Sequence, residues 1–155
     1  MGAFDIYQDV LVPIKQKLES DARIGGRGVK VFYDRSQDRV VEPSIMPAIN
    51  YFLEAPWSDN SIGVGAYSIR NRKFSVRVGI ALWMHNNGDP DQLDADLHSV
   101  GADLLDIMRE NDYWDSSKQI VLGSDLTIDF DHARSADGIF VGTQKISVLF
   151  EIWSK

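Results

Sequence analysis

No cysteine occurs among the 155 residues, which excludes disulfides, thiolate metal centres and thiol nucleophiles together. Either redox compartment tolerates such a chain, and an intracellular product is the simpler expectation. Long apolar runs are missing too. Nothing approaches the ~20 consecutive apolar residues of a membrane-crossing helix, so a soluble protein without a membrane partner is expected. The opening Met1-Gly2-Ala3-Phe4-Asp5 has neither the basic start nor the apolar run of a signal peptide. Ile6 stands where a myristoylation signal has Ser or Thr. The chain contains no internal repeat and no low-complexity stretch.

Clustered positive charge is also scarce. Positions 89–112 hold eight acids (Asp89, Asp91, Asp94, Asp96, Asp103, Asp106, Glu110 and Asp112) and one base, Arg109, a net of -7. That equals the net charge of the whole protein, so the remainder balances, with 15 bases against 15 acids. A chain of this balance is poorly suited to gripping a nucleic-acid backbone, which calls for grouped Lys and Arg.

The strongest pattern spans residues 73–111. Phe74, Val76, Val78, Ile80, Leu82 and Met84 alternate with other residues, the period-2 mark of a half-buried strand. Asn87-Gly88-Asp89-Pro90 reads as a turn into a helix, with Asp89 as N-cap and Pro90 in first helical position. Leu93, Leu97, Val100, Leu104, Ile107 and Met108 then recur at spacings of three and four, an apolar stripe that packs back on the strand.

Residues 5–22 read as an N-terminal helix with Ile6, Val10, Ile14 and Leu18 on one face and Asp5 as its cap. Pro13 predicts a kink or a helix that properly begins there. Gly25-Gly26-Arg27-Gly28 follows a helix and opens a strand, the wrong order for a phosphate loop, and reads as a helix exit. Short strand 29–34, with a possible continuation at Val40 and Val41, precedes strand 44–54. In the latter, Ile45, Ile49, Tyr51 and Leu53 share one face and Met46, Ala48 and Phe52 the other. Pro43 and Pro47 place its start at a sheet edge or bulge. Two apolar faces call for cover on both sides, from another subunit for example.

Residues 55–72 show no sustained period, a connection well above the usual length and therefore a candidate binding arm carrying Trp57 and Tyr67, or else a folded-back hairpin. Residues 111–118 read as a polar loop with Tyr113 and Trp114. Residues 119–131 read as a strand with a bulge at Gly123, 132–137 as a hairpin turn and 138–153 as the last strand, with Ile146, Val148, Phe150 and Ile152 inward. The order predicts one α+β domain spanning 1–155. Its expected form is a mostly antiparallel sheet of four to five strands, two helices packed on one face and a long protruding loop or hairpin.

No catalytic motif is present. The acids at 89, 91, 94 and 96 lack the central glycine and terminal glutamate of a calcium loop, and they suit the first turns of a helix. Asp129, Asp131 and His132 could build a two-carboxylate metal or acid–base site, although a polar strand end accounts for them equally. The acids Asp96, Asp103 and Glu110, spaced by seven, form an aligned row. Arg70, Arg72, Lys73 and Arg77 are the one basic concentration, either solvated or meeting a neighbour's acidic helix, with Trp83 and Ala81 on the strand face of Arg77. The candidate interface residues are thus Trp57, Tyr67, Arg70, Arg72, Arg77, Trp83, Asp96, Asp103 and Glu110.

The element order, together with Val29-Lys30-Val31-Phe32, Pro43-Ser44-Ile45-Met46-Pro47-Ala48-Ile49 and the terminal Phe150-Glu151-Ile152-Trp153, resembles the tail terminator (tail-completion) proteins of long-tailed bacteriophages. The likeness covers the layout of nearly the whole chain and has no diagnostic motif. It implies a structural virion protein of the tail–neck junction, assembled in the host cytoplasm, without catalysis or cofactor. It further implies a hexameric ring that ends tail-tube growth, with the tube protein and a neck or connector protein as partners. DNA would pass through the ring without specific binding. Two alternatives stay open: another phage neck or head-completion connector, and a small metal-dependent enzyme using Asp129, Asp131 and His132.

Overall fold

A computed structural model describes residues 7–33, 42–59, 72–110, 113–115, 120–134 and 139–154. Among them one sheet and two helices form an α+β fold. The strands are β1 (Lys30–Tyr33), β2 (Ala48–Asp59), β3 (Arg72–Asn86), β4 (Tyr113–Asp115), β5 (Ile120–Arg134) and β6 (Phe140–Ser154). The helices are α1 (Val12–Ser20) and α2 (Pro90–Glu110). Sheet order is β1-β2-β3-β6-β5-β4, and every pairing is antiparallel except β1 with β2. That parallel pair needs a crossover of a dozen or more residues, which positions 34–47 supply.

Strands β3 and β6 are the centre of the sheet, paired without interruption from Arg72↔Ser154 to Asn86↔Phe140. Their inward positions, Val76, Val78, Ile80 and Leu82 beside Ile146, Val148 and Phe150, are at most 1% exposed. Against them lies α2, whose six stripe residues Leu93, Leu97, Val100, Leu104, Ile107 and Met108 are all buried, as the spacing predicts. Each such side chain removed from water stabilises the fold by about 1.5–3 kcal/mol. The helix start also follows the sequence reading. Asp89 Oδ1 accepts the Gln92 N–H at 3.0 Å, and Asn86 Oδ1 accepts the Asp89 N–H at 2.9 Å, which satisfies donors a helix start leaves orphaned.

On the same face, α1 contributes Ile14 and Leu18 to the core, and the preceding π-helical turn Tyr7–Leu11 contributes Val10 and Leu11. Pro13 is the second residue of α1 and directly follows the π-helical turn, so the helical path is continuous from Tyr7 to Ser20 and the irregularity expected at the proline is that wider turn. Ile6 and the expected cap Asp5 lie outside the described residues.

Several elements differ from the sequence expectation. The sheet has six strands rather than four or five, because Tyr113–Asp115, read as loop, pairs with the start of β5 as a strand too short to show periodicity. Residues Pro43–Ile45 form a 3-10 turn and β2 begins only at Ala48. The alternation drawn through Ile45 therefore fails, and Ile45 packs with Met46 and Ala48 instead of with Ile49. Strand β2 continues to Asp59, through residues that read as irregular, with a register shift between Glu54 and Ser58 around Pro56. Strand β5 runs to Arg134, so His132 lies in a strand and not in a turn. Its irregularity falls between Leu122 and Leu126, where Gly123 predicts a bulge. Of the segment 55–72 read as an arm or folded-back hairpin, 55–59 belong to β2 and Arg72 to β3, and residues 60–71, like Val40 and Val41, lie outside the described residues.

Where α2 crosses β6 the spacing is set by Gly101. A Cβ added there would run into the side-chain amide of Gln144, which is 2% exposed and whose Oε1 has no hydrogen-bond partner. Alanine at 101 should gain about 1 kcal/mol of helix propensity and lose roughly 1–3 kcal/mol to overpacking, so Gly101→Ala is expected to be destabilising on balance. Urea unfolding checks this. Adding Gln144→Ala to Gly101→Ala should recover part of the loss, and Gln144→Met alone should be neutral or stabilising because it removes an unpaired buried oxygen.

Candidate functional site

The acidic row on α2 is met by the turn that leaves α1. Residues Gly25–Arg27 form a 3-10 turn closed by Gly28, whose φ of 80° is a left-handed conformation that glycine adopts without strain. Its backbone bonds return to Asp21 and Ile24, from the Gly26 and Val29 N–H groups at 3.2 Å each. This fixes Arg23 and Arg27 against α2.

Arg23 grips two carboxylates at once. Its Nη1 and Nη2 donate to Glu110 Oε1 and Oε2 at 2.9 and 2.8 Å, while Nε and Nη2 donate to Asp21 at 3.0 and 2.9 Å. Such bidentate pairs are the strong form of an ion pair. Arg27 Nη2 lies 3.2 Å from Asp103 Oδ2. Two members of the sevenfold-spaced row are therefore joined to their own chain. The hydrogen bonds from Arg23 hold the Glu110 and Asp21 carboxyls below their ordinary range, and the two carboxylates raise the Arg23 guanidinium above its own.

Asp96, the third member, accepts a bond from Gln92 Nε2 at 2.8 Å, and no described cation pairs with it. It stands at a cleft of about 220 Å³ lined by Arg27, Val29, Pro47, Met84, Ser99 and Val100. Apolar side chains make most of the wall, and the polar groups sit where α2 and the turn meet. The volume is below the ~300–1,000 Å³ usual for small-molecule pockets and suits a single long side chain.

The opposite face of the sheet carries no described helix and is nonetheless closed at several points. Phe52 pairs with Gly79, and its ring occupies the space a Cβ of residue 79 would need. Lys145 Nζ lies 5.4 Å from the Phe52 ring centroid, so Phe52 is only 2% exposed although it sits on the outer face. Trp83 Nε1 donates to Asn50 Oδ1 at 2.7 Å, satisfying a buried amide oxygen. Arg77 Nη1 donates to Ser147 Oγ at 3.3 Å, and Ser147 Oγ donates to Glu54 Oε1 at 2.7 Å.

The sequence-selected residues are thus distributed over distinct places. Arg77 and Trp83 belong to the outer sheet face and are engaged within the chain, with Ala81 buried between them. Asp96, Asp103 and Glu110 follow α2 and face the turn. Backbone positions place Trp57 in β2 and Arg72 at the start of β3; their side chains, and all of Tyr67 and Arg70, lie outside the described residues. Asp129 and Asp131 occupy alternate positions of β5, opposite Lys145 and Thr143, and His132 stands opposite Gly142, so regular pairing assigns His132 to the other face. Their side chains also lie outside the described residues. Sequence reasoning did not single out Arg23 and Arg27. No local pattern marks them, because the acids they meet lie far along the chain.

No family model matches the chain, and no curated protein matches it. Among solved structures, one similar chain belongs to the virion of a native gene transfer agent particle. It is 14% identical, with 98% of each chain covered and a TM-score of 0.47.

The Arg23 clasp has a pH signature. A carboxyl held below its unfolded pKa contributes stability that is present above the unfolded value and lost as pH falls through the folded one. Arg23→Gln should therefore lower the melting temperature at pH 7, and the gap from wild type should narrow as pH falls below about 4, the unperturbed carboxyl range. Thermal melts across pH 2–7 read this directly; a gap that stays constant to the acid end contradicts the role given to Arg23.

Proposed function

We propose that this chain is a structural virion protein, one tail-terminator-like domain spanning 1–155, whose copies form a ring at the end of a phage tail tube. The ring stops tube growth and offers a docking surface to the neck of the head. The observation that supports the reading most is the separation of the basic segment 70–73 from the first turns of α2. The bases precede and open strand β3, whose far end leads through Asn86 into Asp91, Asp94 and Asp96, before α2 runs back along the sheet. A surface that is complementary to itself at its two ends makes head-to-tail contacts, which close into rings when the rotation permits.

The charge balance agrees with a passage for DNA. A wall rich in Lys and Arg would hold the phosphate backbone, whereas a protein of net charge -7 lets it slide. In this reading the hexamer, the tube-protein and neck partners and the absence of a cofactor follow from the terminator assignment.

Electron microscopy of purified protein mixed with growing tail tubes tests the assignment. Rings are expected on one end of each tube, with tube length frozen on addition. Decoration of portal or head complexes instead would move the protein to the neck-connector class, and a chain that never associates with either removes the structural reading.

A further inference from the structure

We infer that the cleft beside Asp96 is the receptor, in each subunit, for the basic segment Arg70-Asn71-Arg72-Lys73 of the next copy; the inference rests on the ring reading above. The two partners lie far apart in one molecule. Arg72 and Met84, which lines the cleft, are separated by twelve positions of the uninterrupted strand β3, or roughly 40 Å at ~3.3 Å per residue. The start of β3 therefore cannot fold back into the chain's own cleft, and the contact must be between copies.

The cleft selects a particular occupant. Arg27 at its mouth is already neutralised by Asp103 at 3.2 Å, and, among the described residues, Asp96 keeps a carboxylate bonded at 2.8 Å by a neutral amide, Gln92, and paired with no cation. Met84, Val29, Pro47 and Val100 give the remainder an apolar surface. An arginine or lysine side chain matches both features, because its methylene stem covers apolar surface while its head reaches a carboxylate. The chain's one concentration of such residues is 70–73 together with Arg77, and Arg77 is held by Ser147 on the outer sheet face. The cleft lies beside the end of β3 and Arg72 opens the same strand, so the contact is heterologous and each copy offers one of each.

Two variants and their mixture test this by light scattering and negative-stain microscopy. Asp96→Lys alone, and Arg70→Glu with Arg72→Glu alone, should each weaken self-association roughly tenfold or more with an unchanged circular dichroism spectrum and melting temperature. Mixed in equal amounts they should assemble again, since every contact then joins opposite charges. Ser99→Trp, on the exposed side of α2, fills the cleft without altering charge and should also abolish assembly. Variants that assemble like wild type while wild type forms rings overturn the contact and leave the ring reading standing. Folded variants that fail alone and fail equally when mixed overturn the charge pairing. Wild type that stays monomeric with and without tubes overturns the ring reading and the contact together.

Discussion

The uninterrupted register between β3 and β6 is the constraint on which the remaining structure depends. Because side chains alternate, a slip of one residue would carry Val76, Val78, Ile80 and Leu82 from the helix side to the outer face. The pairing is held in place by the apolar face it buries under α1 and α2 and, on the other face, by the bond from Arg77 to Ser147, while Phe52 over Gly79 and Trp83 against Asn50 hold β2 beside β3. Helix α2 then carries the chain across the sheet to the far edge, where β4 and β5 form before β6 returns to the centre. A strand of fifteen residues fixed on both sides is a stiff rod, and its two ends keep their separation.

In the proposed contact that stiffness matters, because Arg72 at the start of β3 and the cleft at Asp96 beside its end keep their separation. The arginines of the α1 exit turn refine the pattern by satisfying Asp103 and Glu110 internally and leaving Asp96 with its carboxylate at the cleft. Fold maintenance and the proposed contact therefore draw on different members of the same acidic row.

Much of this was legible in the sequence, and the misses have physical causes. The period of β3, the Asn87–Pro90 helix start and the stripe of α2 all came through because hydrophobic alternation, an Asx cap and a 3.6-residue repeat are local signals. Strand β4 was too short for any period, and the end of β2 was hidden by Pro56 and its neighbours. Residues 43–47 were read through as strand because apolar side chains continue across two prolines, whereas the backbone turns there first. The Arg23 clasp joins residues 87 positions apart, so no local pattern could display it. The cleft likewise gathers the exit turn, β3 and α2 from three separate segments, and the individual residues look ordinary until the fold brings them together. The sequence placed Asp96, Asp103 and Glu110 in one row, but it could not separate Asp96, which has no described cation partner, from the two that Arg27 and Arg23 bind.

The central claim, that the basic segment at the start of β3 and the cleft at Asp96 join copies into a closed ring, is tested most directly by sedimentation of the wild-type protein over a range of ionic strength. The account predicts a single discrete assembly of six subunits at low salt, in equilibrium with monomer and dissolving as salt screens the contact. A protein that is monomeric at every concentration and salt, or one that forms a ladder of ever larger polymers, would contradict it.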